Sequence, residues 1–404
     1  MALPSSVARR VARIEPAHLT NGRLWTVVFG PGHGEAVMVR LPDGRVGIVD
    51  GCREPARDCP VTRLLAGLKA TRLLFACLTH PHEDHYKGLG RLLELYRGRV
   101  DHMWHVLALT SRERAGVVAY AKRHHARPKR AKLPDTGDAQ GVERVFREIM
   151  AAETVGADRR QLVTDRGLLR EQVAGAEFAV DSWGPTDADT SDAVMEFLAT
   201  PRKDWNVKDD LPNQVSGALL VRWGESRVLL AGDLYAHTND RRGWGPARAL
   251  ASLHAPVQVV NASHHASHNA YDDKLWNAMN PLLAIVTPFL NASLRVDPKT
   301  KRLEPCQPPK PADIRRLLDG RCEVAITAPP RWIGETFTPT PPSQRRIDRG
   351  PATRTVSTST GTLALLGASA VPDVDDTQNA VAVALDAGGN ILEVILAGGA
   401  DFYD

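Results

Sequence analysis

Three short apolar runs in this chain end in residues that bind metal ions, and no other feature of the sequence constrains its fold as much. The run LLFACL at 73–78 leads into THPHEDH at 79–85. VLLAGD ends in Gly232-Asp233, and VQVVNASHH runs into His264 and His265. Apolar runs of this length bounded by polar loops read as buried strands, so each chemical cluster is placed at a strand end. Within the first cluster, His80 and His82 point the same way from a strand-to-helix loop, whereas Asp84 and His85 begin the next helix and face a second locus. One segment thereby offers two ligands to each of two neighbouring metals. Neutral imidazole and carboxylate suit zinc, manganese or iron, and the segment 79–88 holds no cysteine with which to build a purely structural thiolate site. Asp233 is placed to bridge two metals. Asp50, closing the run GIVD, is a further acid at a strand terminus, expected to hold a ligand histidine or the metal loop by hydrogen bonds.

The surrounding pattern is that of a layered α/β domain. LWTVVFG (24–30) and EAVMVRLPDGRVGIVDG (35–51) alternate as strands, with Asp43-Gly44 as a hairpin turn. VTRLLAGLKA (61–70) is amphipathic, and a helix is expected from just after His85 through GLGRLLELYRG. Residues 112–178 are rich in helix formers and predict a helical insertion or cover. Residues 186–212 predict a loop, and 217–233 a hairpin turning at Gly224-Glu225. Proline and threonine crowd 328–360, which predicts a long surface loop. The expected organisation is one continuous domain over 1–365 carrying the insertion at about 112–178. Residues 366–404 are expected as a C-terminal β-hairpin extension packed on that domain, turning at Ala387-Gly388-Gly389.

THPHEDH, the strand-end Asp50, Gly232-Asp233 and His264-His265, taken together in this order, resemble the metallo-β-lactamase superfamily of dinuclear metallohydrolases. The resemblance is nearest to the hydrolase domain of the bacterial competence DNA-uptake channel and its soluble relatives. It runs over roughly 22–365, through Asn213-Gln214-Val215-Ser216, His264-His265-Ala266-Ser267 and the closing strand STSTGTLAL. It implies a four-layer αββα sandwich with two divalent cations, zinc or alternatively manganese, at one edge of the two sheets. His80, His82 and Asp233 would hold the first. Asp84, His85, Asp233 and one of His264 or His265 would hold the second, and the remaining histidine would donate a hydrogen bond or protonate a leaving oxygen. Asn213 stands where the superfamily's usual third histidine lies, which makes it a neighbour of the first cation and leaves that cation the more weakly held. Ala266 replaces a glycine of the subgroup.

A metal-activated water needs no serine or cysteine nucleophile, and the chain has no G-x-S-x-G elbow. The five cysteines are odd in number and form no C-x-x-C pair, so neither a disulfide framework nor a thiolate knuckle is indicated. A formal charge of +4 excludes a uniformly basic nucleic-acid coat protein. It conceals one local basic run at 121–132, whose Lys122, Arg123, Arg127, Lys129 and Arg130 are candidate contacts to a polyanion. No apolar run approaches the roughly 18 residues of a membrane span. A cytoplasmic location without membrane contact is the default expectation, and the oligomeric state is left open. The predicted function is a phosphodiesterase or nuclease acting on nucleic acid or nucleotides. Its rivals are a lactonase, thioesterase or phosphorylcholine-esterase-like hydrolase on the same site, and a non-catalytic regulatory protein with this fold. His102 and His105 are expected to be structural, Trp183 to be core and Cys52 to be a buried inert thiol. His237, four residues past Asp233, is a possible neighbour of the site.

Overall fold

The structure is a computed structural model that describes residues 7–30, 34–52, 59–106, 147–149, 157–192, 211–289, 294–296, 303–305, 307–319, 322–330, 353–358, 361–366 and 378–403. In chain order its strands begin with β1 (Ala8–Val11), β2 (Leu24–Phe29), β3 (Ala36–Arg40), β4 (Val46–Val49), β5 (Leu73–Leu78), β6 (Val100–His105) and β7 (Asp158–Gln161). They continue as β8 (Arg166–Val173), β9 (Ala176–Gly184), β10 (Ala218–Trp223), β11 (Ser226–Leu230), β12 (Val259–Asn261), β13 (Leu283–Val286), β14 (Leu294–Val296) and β15 (Leu303–Pro305). The last are β16 (Glu323–Ile326), β17 (Thr353–Thr358), β18 (Gly361–Leu366), β19 (Ala380–Leu385), β20 (Ile391–Ala397) and β21 (Asp401–Tyr403). The α-helices are α1 (Val61–Gly67), α2 (Glu83–Tyr86), α3 (Leu89–Leu95), α4 (Leu211–Gln214), α5 (Ala247–His254), α6 (Asp273–Met279) and α7 (Pro311–Asp319).

Two large mixed sheets carry the fold. One has nine strands in the order β1-β20-β19-β2-β3-β4-β5-β6-β7, the other ten in the order β17-β18-β21-β16-β13-β12-β11-β10-β9-β8, and β14 and β15 form a separate ribbon. In β2, every residue of LWTVVF is buried, yet the two-residue period survives. Leu24 and Val28 join one apolar cluster, whereas Trp25, Val27 and Phe29 join another. Burial on both faces hides the alternation that a half-exposed strand would show. The first cluster lies between the sheets and joins Val39, Phe75 and Trp104 of one to Val180, Leu230 and Ile285 of the other. The second packs the outer face of the first sheet on Leu64, Leu65, Leu89 and Leu92 of α1 and α3. A third packs Leu229, Val260 and Val324 on Ala251, Leu275 and Ile314 of α5, α6 and α7. The layers are therefore helix, sheet, sheet, helix, as expected.

Parallel pairing decides where the chemistry goes. β4, β5 and β6 are parallel neighbours in one sheet, and β11, β12 and β13 in the other. Asp50, His80, Asp233, His264-His265 and Thr287 follow the C-terminal ends of β4, β5, β11, β12 and β13, the edge at which ligands of such sheets bind.

One expectation is corrected. Of the helical insertion placed at about 112–178, most of 158–178 is strand. β7 extends the first sheet, and β8 pairs antiparallel with β9 through a turn in which Ala174 and Gly175 have φ of 49 and 84°. The Arg, Glu, Leu and Ala of this stretch favour helix locally, but pairing of β8 onto β9 and of β9 onto β10 buries Leu168, Val173 and Phe178 and overrides that preference. Residues 107–146, which include Lys122, Arg123, Arg127, Lys129 and Arg130, lie outside the described residues. The C-terminal segment forms a hairpin of β19 and β20. It turns near Gly388-Gly389, with β19 between β20 and β2 inside the first sheet, and β21 beyond it pairs with β16 in the second. Within the expected loop 186–212, residues 187–192 are helical, with Thr186 Oγ1 accepting the Asp189 N–H at 3.0 Å as a cap, and α4 begins at Leu211. No helix among the described residues is long and apolar enough to cross a membrane.

Candidate metal centre

The strand ends bring most of the expected residues to one place. Asp84, His85, Asp233 and His265 form one group whose ligand atoms all lie within 4.8 Å of one another, and His80, His82 and Asp233 form a second. Asp233 belongs to both. Its Oδ1 lies 3.3 Å from His85 Nε2 and its Oδ2 lies 3.6 Å from His80 Nε2, so each oxygen faces a different group.

Hydrogen bonds behind the rings fix which nitrogen each histidine presents. Asp50, fully buried, accepts from the Thr79 N–H at 2.8 Å, the Thr79 hydroxyl at 2.5 Å and His85 Nδ1 at 2.7 Å. His85 Nδ1 therefore carries a proton, and Nε2 is the nitrogen turned to the centre. Thr79 has given its only proton to Asp50, so toward His80 Nδ1, 3.1 Å away, its oxygen can only accept. His80 is thereby held in the same tautomer. His265 Nδ1 faces the Thr287 carbonyl at 2.8 Å, which turns Nε2 to the centre, 3.1 Å from Asp84 Oδ2. His264 Nδ1 donates to Asn269 Oδ1 at 3.1 Å, and its Nε2 accepts from Asn213 Nδ2 at 3.3 Å. Backing of this kind orients metal-binding imidazoles and raises their basicity. Asp50, expected behind the ligands, serves two histidines through one carboxylate: His85 directly and His80 by way of Thr79.

The electrostatics fit cations. His80 Nε2, His85 Nε2 and Asp233 Oδ1 are buried and have no hydrogen-bond partner among the described residues, an arrangement that is costly unless something else satisfies them. Burial pulls the His85 pKa down, but Asp233, Asp84 and Asp50 outweigh it and hold the imidazolium well above its ordinary range. A cation between those carboxylates answers the same field. Burial and the neighbouring His85 push His80 well below its ordinary value. Burial raises Asp84 and Asp233, yet the histidines around them prevail and keep both carboxylates well below the usual range. Burial lowers His264 against the pull of Asp233.

The local backbone is strained to deliver these groups. His264, His265 and Ala266 have φ of 48, 56 and 62°, a left-handed run that non-glycine residues rarely adopt. Glycine is required at Gly34, where φ is +131° and a Cβ would stand 2.2 Å from the Asp84 carbonyl oxygen.

Sequence left the division of labour between the paired histidines open, and the geometry separates them. His265 joins the four-residue group, whereas His264 stands at the rim, its Nε2 4.0 Å from Asp233 Oδ2 and its side chain 19% exposed. Asn213 faces His264 and the Tyr235 hydroxyl, to which its Nδ2 donates at 3.1 Å. His237 lies outside the groups on an exposed loop, its Nδ1 accepting the Asn239 N–H. His102 pairs with Asp158, and Trp183 and Cys52 are buried. Sequence reasoning missed Glu35, which is 3% exposed and grouped with Asp50 and His85. Its only sign in the sequence is one acid at the entrance of an apolar strand.

No protein-family model matches the chain, and no curated protein matches it. Among solved structures it is similar to a diphosphatase from the PhnP family, at 12% identity and TM-score 0.32, covering 65% of this chain and 87% of that one. It is also similar to the metallo-β-lactamase fold protein YhfI from Bacillus subtilis, at 10% identity and TM-score 0.34, covering 66% and 86%. A third is the short form of human tRNase Z, at 14% identity and TM-score 0.33, covering 65% and 92%. Likeness of this degree assigns no residue and no activity.

Proposed function

We propose that the chain is a metal-dependent hydrolase of the metallo-β-lactamase type that cleaves phosphodiester bonds in nucleic acid or nucleotides. The observation that carries this reading is the Asp233 carboxylate, one oxygen turned to each of two groups of inward-facing imidazole nitrogens and carboxylates. His80, His82 and Asp233 would hold one divalent cation, zinc or manganese, and Asp84, His85, Asp233 and His265 the other. Such a pair acidifies a water and neutralises charge building on attacking and leaving oxygens of an in-line displacement.

The chain's own residues do the rest. Asp50 and Thr79 keep His85 and His80 in the tautomer that faces the centre. Asp84 Oδ2 and His265 Nε2, on the ring edge opposite Thr287, face the same locus and would share a cation there. His264, set by Asn269 and Asn213, stands at the rim where, once Nε2 takes up a proton from solvent in place of the Asn213 bond, it could hand that proton to a leaving oxygen or hold a phosphoryl oxygen by hydrogen bond. The kinship with the competence DNA-uptake hydrolases is part of this proposal and rests on the sequence motifs.

The test is a metal-supplemented screen against bis-p-nitrophenyl phosphate, single-stranded DNA, RNA and a lactone, comparing the natural protein with Asp84→Ala. Phosphodiester cleavage is expected, with Asp84→Ala slower by on the order of 10³-fold, since charge stabilisation by a cation is worth several kcal/mol. Equal rates in the two proteins would remove the catalytic assignment. Cleavage of the lactone alone would replace the phosphodiester reading by the ester one.

A further inference from the structure

We propose that Glu35 is a positioning residue of the centre: it fastens the metal-facing groups of one sheet to those of the other and so sets the geometry of the four-residue group. The inference rests on the metal-centre reading above. Asp84 and His85 come from the segment after β5 in the first sheet, whereas His265 comes from the turn after β12 in the second. Their mutual distance therefore depends on how the two sheets are held at this edge.

Glu35 holds both sides at once. Its N–H donates to the Asp84 carbonyl at 3.2 Å, and its own carbonyl accepts from Cys52 N–H at 3.0 Å, two residues past Asp50. Its side chain crosses to the other sheet, where Oε2 accepts from Asn261 Nδ2 at 3.0 Å and from Thr287 Oγ1 at 2.9 Å. Thr287 is the residue behind His265, with its carbonyl at 2.8 Å and its hydroxyl oxygen at 3.1 Å from Nδ1. Because the Thr287 proton goes to Glu35, that hydroxyl presents a lone pair to His265, and both of its contacts accept the Nδ1 proton. The chain from Glu35 through Thr287 to His265 mirrors the one from Asp50 through Thr79 to His80. Each uses a buried carboxylate to turn a threonine into an acceptor for a ring N–H. A buried carboxylate is costly to keep, and here it is placed where it orients a group that would hold a cation.

A second bond between the sheets supplies the control. Thr327 Oγ1 donates to the Gly30 carbonyl at 3.0 Å near the same edge, a bond that involves none of the grouped residues. If Glu35 merely stapled the sheets, removing either bond would have the same consequence.

The experiment uses the full chain stripped of metal and titrated with Co²⁺ or Zn²⁺ against a competing chelator, with thermal unfolding of the metal-free protein alongside. The constant belonging to the four-residue group is identified by its loss in Asp84→Ala. Glu35→Ala is expected to weaken that constant about 10- to 100-fold, the range for residues behind metal ligands, and to leave the other within about 3-fold. Glu35→Gln keeps an oxygen that can accept both bonds and should recover most of the affinity. Thr287→Val should reproduce part of the loss, and Thr327→Val should lower the unfolding temperature with both constants unchanged. Natural-protein affinities in Glu35→Ala, or an equal loss in Thr327→Val, would overturn the proposal. Should Glu35→Ala not fold, an unchanged constant in Thr287→Val overturns it instead. A natural protein that binds neither cation would overturn the metal-centre reading itself, a result distinct from one that binds two with or without Glu35.

Discussion

The two groups at the metal edge share Asp233 but are built differently. The four-residue group draws on both sheets and rests on buried acceptors, with Asp50 behind His85 and Thr287 behind His265. The three-residue group has His80 held by Thr79 and Ser216, but His82 lies partly exposed on the loop. Asn213, at the position where the resemblance expects a histidine, turns its amide to His264 and Tyr235. Preorganised ligands lose less freedom on binding, so the first arrangement should hold a cation tightly and the second exchange it more readily. Asymmetry of this sort would place the more easily exchanged cation of the proposed pair on the side of His264.

The largest effect should come from the residue common to both groups. Asp233→Ala is expected to abolish binding of both cations and to lower hydrolysis by at least about 10³-fold, because each group loses its shared carboxylate. Metal analysis after dialysis checks it. A variant that kept one tightly bound equivalent would show that the groups do not depend on a common ligand. A smaller, selective effect is expected from His82→Ala, which touches only the three-residue group. It should retain close to one equivalent of cation and lose on the order of 10²-fold in rate, mostly recovered at high added metal. Loss of both equivalents would erase the contrast between the groups.

Much of the centre was legible because its residues are contiguous in the chain. His80, His82, Asp84 and His85 lie within six residues, and so dense a run of imidazole and carboxylate at a strand end is rare outside a metal site. Asp50 was legible as an acid closing an apolar run. Glu35 was not, since its meaning comes from Asn261 and Thr287, more than two hundred residues away and reached only when the sheets stack. The choice between His264 and His265 was hidden for a different reason. Two adjacent residues with left-handed backbones send their rings to different places, and no periodicity encodes that turn. The strands within 158–178 were misread because Arg, Glu and Leu favour helix where no partner is present. The interior place of β19 was missed because sequence order says nothing of which edge a C-terminal hairpin joins.

The smallest effect is expected at the opposite end of the sandwich, where a carboxylate has a purely local task. Phe29 of β2 pairs with Ala36 and Ala380 near Glu35, while Leu24 pairs with Leu385 at the far end, next to Asp386. Asp386 Oδ1 accepts from the N–H groups of Gly388 and Asn390, each at 2.9 Å, and Oδ2 accepts from Asn390 Nδ2 at 2.9 Å. Partial burial raises its pKa, but these bonds outweigh it and hold the carboxyl below its ordinary 3.8. A carboxylate depressed on folding contributes stability that is present above the unfolded value and is lost as pH falls through the folded one. Asp386→Ala should therefore cost about 1 kcal/mol at neutral pH, the net scale of such bonds at a site open to solvent. The difference from the natural protein should stay flat above about pH 5 and close as pH drops below 3.8. Cation affinity and hydrolysis should not change. Denaturant unfolding at several pH values, read beside the metal titration, checks both halves, and a change in cation affinity would mean that the two ends of the sheets are coupled, against the division drawn between a local turn and a centre built across both sheets.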